Sequence, residues 1–496
     1  MSQRADPRAR SWFGTVWLLA ASCAVGPNFV RPEPPKVTRY TVAPTPAATA
    51  AVGSAQRFAD SNKLAADWWR LFGCRELDGI VADALANNPT LEAAEAALRR
   101  SQDVLRAGYG VFLPAADLNG GVGRQRYSPA RVGSSLPPSV FNLFTLSGTV
   151  SYALDVWGGQ RRTVEGLRAQ LEAQRYTLVG ATLILSGNVV NTVIAAAAYR
   201  AEIDATKEII VLEEDQMRVG EAQAEAGTIP YANVLSLESQ VSSTRATLPP
   251  LEEKIDQAEH LIAALSGRFP AEWAPPPIAL ESFALPREIP VSLPSQLARQ
   301  RPDILVAEAA LHSSTAQIGV ATAAMLPNLT LSGTYGANNS STSALFSNDS
   351  VFWNLAAGLT QPVFRGGALW YERSAAMNAR DQALAIYRQT VLSAFTQVAD
   401  TLRALGHDAD ELAAQTDALK AAADAHRLVA INYEAGLANY LQVLTADAQF
   451  LQSRLGFIEA QAQRLQDTVG LFVALGGGWW NGNAPEPESR SPPRPR

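Results

Sequence analysis

Two cysteines and four histidines in 496 residues leave no material for a disulfide framework, and the histidines share no metal-ligand spacing. Charge is sparse, with 41 basic and 47 acidic residues and a net charge of −6. No long block of one sign occurs, which argues against a nucleic-acid partner. Outside the N-terminus no run approaches the roughly 20 apolar residues of a spanning helix, so any membrane contact is made another way. Phosphate-binding glycine loops, zinc patterns and nucleophile elbows are also missing, and an enzyme is accordingly remote. His407-Asp408-Ala409-Asp410-Glu411 reads as solvated helix surface. Cys74 is a lone thiol if Cys23 is used elsewhere.

What the chain does have is a repeat. With Pro89 set on Pro302, Ala94-Glu95-Ala96-Ala97-Leu98 recurs as Ala307-Glu308-Ala309-Ala310-Leu311, and Leu113-Pro114 as Leu326-Pro327, at a constant offset of 213. The chain is therefore two copies of one architecture. Each copy opens with an alanine-rich helical tract, predicted over 76–111 and 297–325, and crosses a proline into segments of period two. Leu118 and Val122 oppose Asp117 and Asn119. From Asn142 to Val156, Phe144, Leu146, Val150, Tyr152, Leu154 and Val156 oppose Thr145, Ser147, Thr149 and Ser151. Leu329, Leu331 and Tyr335 oppose Asn328, Thr330, Ser332 and Thr334, and Trp353, Leu355, Ala357 and Leu359 oppose Asn354, Gly358 and Thr360. The face over 142–156 fits packing on a soluble core and equally a tilted strand crossing an outer membrane, and the N-terminal signal described below favours the membrane.

After each hairpin comes a long proline-free tract, 160–226 and 367–435, about 100 Å long if helical. Gly227 and Gly436 mark the turns, Thr228 is a candidate cap, and Pro230 starts a helix predicted to return through Leu265. Tyr231, Val234 and Leu235 recur as Tyr440, Val443 and Leu444 at an offset of 209. The domain reading is a signal peptide at 1–22, a tether at 23–66, a first repeat at 67–266, a linker at 267–293 with a possible short strand at 278–285, a second repeat at 294–475 and a loose tail at 476–496.

Arg4, Arg8 and Arg10, the apolar run from Trp12 to Ala21 and Ala21-Ser22-Cys23 form a secretory signal ending at a candidate lipidation site, Cys23. Ala20 stands where the usual lipobox has leucine, with Leu19 beside it. Four strands cannot close a barrel, because single-chain barrels need about eight and an open edge leaves backbone groups unsatisfied in lipid. Three chains would supply twelve. The expected fold is mainly α with a membrane β-barrel, its two repeats trimerising into a 12-stranded barrel and an α-helical tunnel.

Ala24-Val25-Gly26-Pro27-Asn28-Phe29-Val30-Arg31-Pro32 resembles the first mature residues of outer-membrane efflux lipoproteins. Arg301-Pro302-Asp303-Ile304, Leu326-Pro327-Asn328-Leu329 and Tyr152-Ala153-Leu154-Asp155-Val156-Trp157-Gly158 resemble signature segments of the TolC-like outer-membrane factors, in their NodT and OprM lipoprotein branch. The resemblance implies a homotrimeric exit duct anchored in outer-membrane lipid. It would dock on a periplasmic adaptor and an inner-membrane pump, usually of the resistance-nodulation-division type, and expel small molecules without chemistry or cofactor beyond the lipid on Cys23. An exit channel for one-step (type I) protein secretion is the alternative. The resemblance places the periplasmic aperture at Leu441, Gln442 and Thr445, with repeat mates Asn233 and Ser236, although the family's common aspartates are missing there. Asp447 and its mate Glu238 are candidates for a carboxylate belt, weighed against a solvated helix face. Gly227 and Gly436 are the candidate adaptor-docking tips.

Overall fold

The computed structural model describes residues 24–43, 48–49, 55–61, 63–128, 133 and 137–482. The signal segment, Cys23 and the tail beyond Gly482 lie outside the described residues. The chain forms two compact units, each interrupted in sequence.

Among the described residues, the first unit comprises Ala24–Pro32, Leu98–Gln174 and Ala307–Tyr387. It holds a four-stranded antiparallel sheet of β2 (Ala115–Tyr127), β3 (Ser139–Leu154), β5 (Asn328–Asn339) and β6 (Val351–Thr360), in the order β2-β3-β5-β6. The hairpins β2–β3 and β5–β6 belong to the two repeats, and β3 joins β5 between them from Phe144 with Asn339 to Leu154 with Leu329. The four strands of this sheet fall on the period-two segments, with β3 ending at Leu154 rather than at Val156. The outer edges of β2 and β6 carry no partner among the described residues.

The second unit comprises the described residues of Glu33–Ala97, Arg175–Val306 and Arg388–Gly482. Its core packs Trp68, Phe72 and Phe472, with ring centroids 5.6 Å (Trp68–Phe472) and 6.3 Å (Phe72–Phe472) apart, against Val189, Val193, Ile194, Val398 and Leu402. One small parallel pairing, β1 (Arg57–Asp60) with β4 (Glu288–Val291), ties the tether to the inter-repeat segment. The strand expected at 278–285 is instead a 3₁₀ turn at Leu280–Ser282. β4 lies further on, where Pro290 is tolerated in a two-stranded pairing.

Two 67-residue helices, α3 (Gly159–Glu225) and α8 (Ala368–Glu434), run through both units without interruption. α3 is apolar enough by composition to cross a membrane, but Val189, Val190, Val193 and Ile194 fill the core of the second unit. Three predicted helices are broken. The tract over 76–111 is α1 (Arg75–Asn87) and α2 (Pro89–Gly108), and the tract over 297–325 is α6 (Pro294–Gln300) and α7 (Pro302–Ala323). The residue before each proline, Asn88 or Arg301, is extended, as a following pyrrolidine ring demands. The helix after the first tip is α4 (Tyr231–Arg245) and α5 (Leu248–Leu265), restarting at Pro249 and Pro250. Its mate in the second repeat, α9 (Tyr440–Ala474), is continuous.

Candidate functional site

Cross-strand partners in an antiparallel sheet lie on one face, so the register defines two surfaces. One carries Leu118 and Val122 of β2, Phe144, Leu146, Val150, Tyr152 and Leu154 of β3, Leu329, Leu331 and Tyr335 of β5, and Trp353, Leu355 and Leu359 of β6. The other carries Asn119, Thr145, Thr149, Ser151, Thr330, Thr334 and Asn354, with hydroxyl contacts from Thr149 to Asn119 (3.4 Å) and Thr334 (3.3 Å). Leu118, Leu355 and Leu359 are 79, 78 and 70% exposed, far beyond what a soluble core face shows. An apolar surface of this extent faces lipid.

Below the sheet, Asp155 caps the long helix α3. Its carboxylate accepts from Gln160 N and Arg161 N, each at 3.0 Å. Gly158 stands at φ +77, and a Cβ there would come within 2.6 Å of Ala24 Cα. Here the first described residues cross the helix. Buried Arg162 donates to the carbonyls of Val25 and Gly26 and, at 2.7 Å, to Asn28 Oδ1. Its other arm pairs with Glu165. Phe29 stacks on His312 at 4.3 Å, and Arg31 pairs with Glu308. Nothing in the sequence singles out Arg162, because the N-terminal groups it holds are 134 or more residues away.

In the second unit the two helical tips are built alike. Gly227 and Gly436 both stand at φ +74, and Thr228 N→Gln223 O and Leu437 N→Asn432 O close matching six-to-one turns of 2.9 and 2.7 Å. A Cβ on either glycine would meet open space. Thr228 does not cap α4: its hydroxyl donates back to Gln223 O. Asn439 does cap α9, in a reciprocal box with Gln442.

That box determines what the aperture candidates offer. Gln442 spends its side-chain oxygen on Asn439 N at 2.9 Å. Ser236 and Thr445 donate to the carbonyls one turn back, Asn233 sits in the first turn of α4, and Leu441 is 60% exposed. The carboxylate belt is corrected: Glu238 is exposed, whereas Asp447 is 1% exposed. Asp447 is not on a solvated face either, since its Oδ1 lies 3.0 Å from His426 Nε2. Burial pushes the Asp447 carboxyl up to about 7, a bond from Gln216 opposes this, and the nearby Glu213 charge adds to it. Burial also holds the His426 imidazole below its usual value.

The same helix bundle buries further carboxyls, Glu213 among them. Asp408, expected on the surface, is pushed to about 7 by burial and by Asp467. Glu202 reaches about 7 through burial and the Glu459 charge, partly opposed by Lys254. Among the described residues no cluster of histidine, cysteine and carboxylate could hold a metal ion.

A strand sheet with one apolar face, two very long helices and a pair of matching helical tips are the parts of an outer-membrane efflux channel subunit. The model of the outer membrane efflux protein family matches residues 80–268 and 293–477, one stretch per repeat, and the chain belongs to that family. It is 30% identical over 418 residues to the pyoverdine export outer membrane protein OpmQ of Pseudomonas aeruginosa, covering 83% of this chain and 87% of that one. It is 29% identical to the outer membrane protein OprJ of the same species, covering 95% and 97%. The solved CmeC outer membrane channel of Campylobacter jejuni shares the fold with a TM-score of 0.84 at 21% identity, over 92% of this chain and 95% of that one. The protein is an outer-membrane component of an efflux system.

Proposed function

We propose that three copies of this chain share their strands in one twelve-stranded barrel, and that the resulting duct carries small molecules delivered by an inner-membrane pump of the resistance-nodulation-division type. The single observation that carries this reading is the sheet itself: four strands with one lipid-compatible face and two edges, β2 and β6, that have no partner among the described residues. Open edges in hydrocarbon are untenable, and pairing β6 of one copy with β2 of the next removes them all. The inner face then carries hydroxyls and amides with little charge, a surface suited to passage rather than tight binding. The tether begins where β3 gives way to α3, so a lipid on Cys23, one residue before Ala24, would enter the membrane beside the barrel.

Cargo follows from the pump, and the chain itself performs no chemistry. The tips at Gly227 and Gly436 dock a periplasmic adaptor, and Leu441, Gln442, Thr445, Asn233 and Ser236 line the closed end. A photo-crosslinking residue at Leu437, 80% exposed, tests the docking in living cells. Capture of an adaptor of the resistance-nodulation-division class is expected. Capture of a protein-secretion adaptor would overturn the choice of pump, and no capture from either tip would overturn the docking.

A further inference from the structure

On β3 the outward face is apolar from Leu154 to Phe144, a span of about 33 Å along the strand and about 25 Å along the membrane normal at a tilt of about 40°. That matches the height of an outer-membrane apolar band. The last apolar cross-strand pair on this face is Val122 with Phe144. The next two pairs, moving away from the helices, are Arg124 with Asn142 and Arg126 with Val140. Both arginines are exposed. They stand on the lipid-facing side, one and two steps beyond the band.

No acid on their own hairpin offsets them. The sole carboxylate of β2 is Asp117, on the opposite face at the other end, β3 has none, and the connecting segment 128–138 contributes Arg131 and no acid. Residues two apart on a strand are about 7 Å apart, and each guanidinium presents a planar fork that matches phosphate oxygens. If the helices are periplasmic, as the proposed function requires, this rim lies at the headgroups of the outer leaflet. We propose that Arg124 and Arg126 bind the phosphate groups of lipopolysaccharide packed around the barrel.

The test uses the full-length channel purified in detergent and titrated with lipopolysaccharide, intact or stripped of its phosphates, with bound lipid counted by native mass spectrometry. Variants are Arg124→Ala/Arg126→Ala and Arg124→Lys/Arg126→Lys. A basic residue at an anionic surface contributes about fivefold in affinity, so the alanine pair is expected to bind intact lipid about 30-fold more weakly. The lysine pair should retain most of the binding, and phosphate removal should abolish the difference between variants. Equal binding by wild type and alanine pair, or equal binding of intact and stripped lipid, would overturn the proposal. A cysteine at Pro137 is to be labelled in intact cells by an impermeant maleimide. Labelling combined with equal binding rejects the rim alone, whereas failure to label rejects the membrane orientation and the rim with it.

Discussion

Glu202→Gln isolates one buried charge in the helical wall. Glu202 is 7% exposed on α3, with its carboxyl raised from 4.5 to about 7 by burial, the Glu459 charge adding to the rise and Lys254 opposing it. At about 1.36 kcal/mol per pH unit, this corresponds to about 3 kcal/mol. The sign follows from the folded value lying above the unfolded one. The stability associated with a neutral Glu202 is fully present below about pH 4.5 and is lost as pH rises through about 7. Glutamine is neutral throughout, so the variant should match wild type near pH 4.5 and exceed it by up to about 3 kcal/mol above pH 7.5. Denaturation followed by tryptophan fluorescence from pH 4.5 to 8.5, in one detergent, reads the difference. A constant offset across that range, or a wild type more stable than the variant at pH 8, would refute the assignment of a strained buried carboxylate.

Other expectations follow from single contacts. Arg301 pins the end of α9 and the middle of α8 through Ala474 O (3.0 Å) and Gln397 Oε1 (2.8 Å) while pairing with Asp303. Arg301→Ala should cost about 3 kcal/mol by stranding these groups, seen as a lower melting midpoint. Gly158→Ala, at φ +77 and 2.6 Å from Ala24 Cα, should release the N-terminal strap without unfolding the helices, measured as faster proteolysis before Pro32. Val150→Arg, at the middle of the outward face, should lower barrel stability by about 2–4 kcal/mol. Thr149→Arg, on the opposite face, should leave assembly intact and change single-channel conductance instead.

Much of the fold was legible because its signals are local or repeated. Period two in Asn328–Thr360 and the proline-free tracts gave the strands and the 67-residue helices within a residue or two. The offset of 209 matched the two tips, where the same glycine geometry recurs. The misses are local in one case and nonlocal in the others. Pro89 and Pro302 break helices through the residue before them, a steric rule readable in advance. The pairing of Arg57–Asp60 with Glu288–Val291 joins segments more than 200 residues apart and left no trace in either. Asp447 was placed with Glu238 because repeat symmetry equates them, yet α9 is continuous where α4 and α5 are broken. Packing also buries Asp447, with its Oδ1 3.0 Å from His426 Nε2. Symmetry of sequence did not extend to symmetry of packing.

The sharing of strands among three chains is tested most directly by linking the open edges. One cysteine on β2, at Gly121, and one on β6, at Ala356, are to be oxidised in the outer membrane, with neighbouring positions scanned to find the register. Cys74 is buried and does not compete. A covalent ladder that stops at three chains and resists boiling in detergent until reduced is expected. A ladder that stops at two or continues past three, or bonds confined to single chains at every register, would contradict the shared barrel.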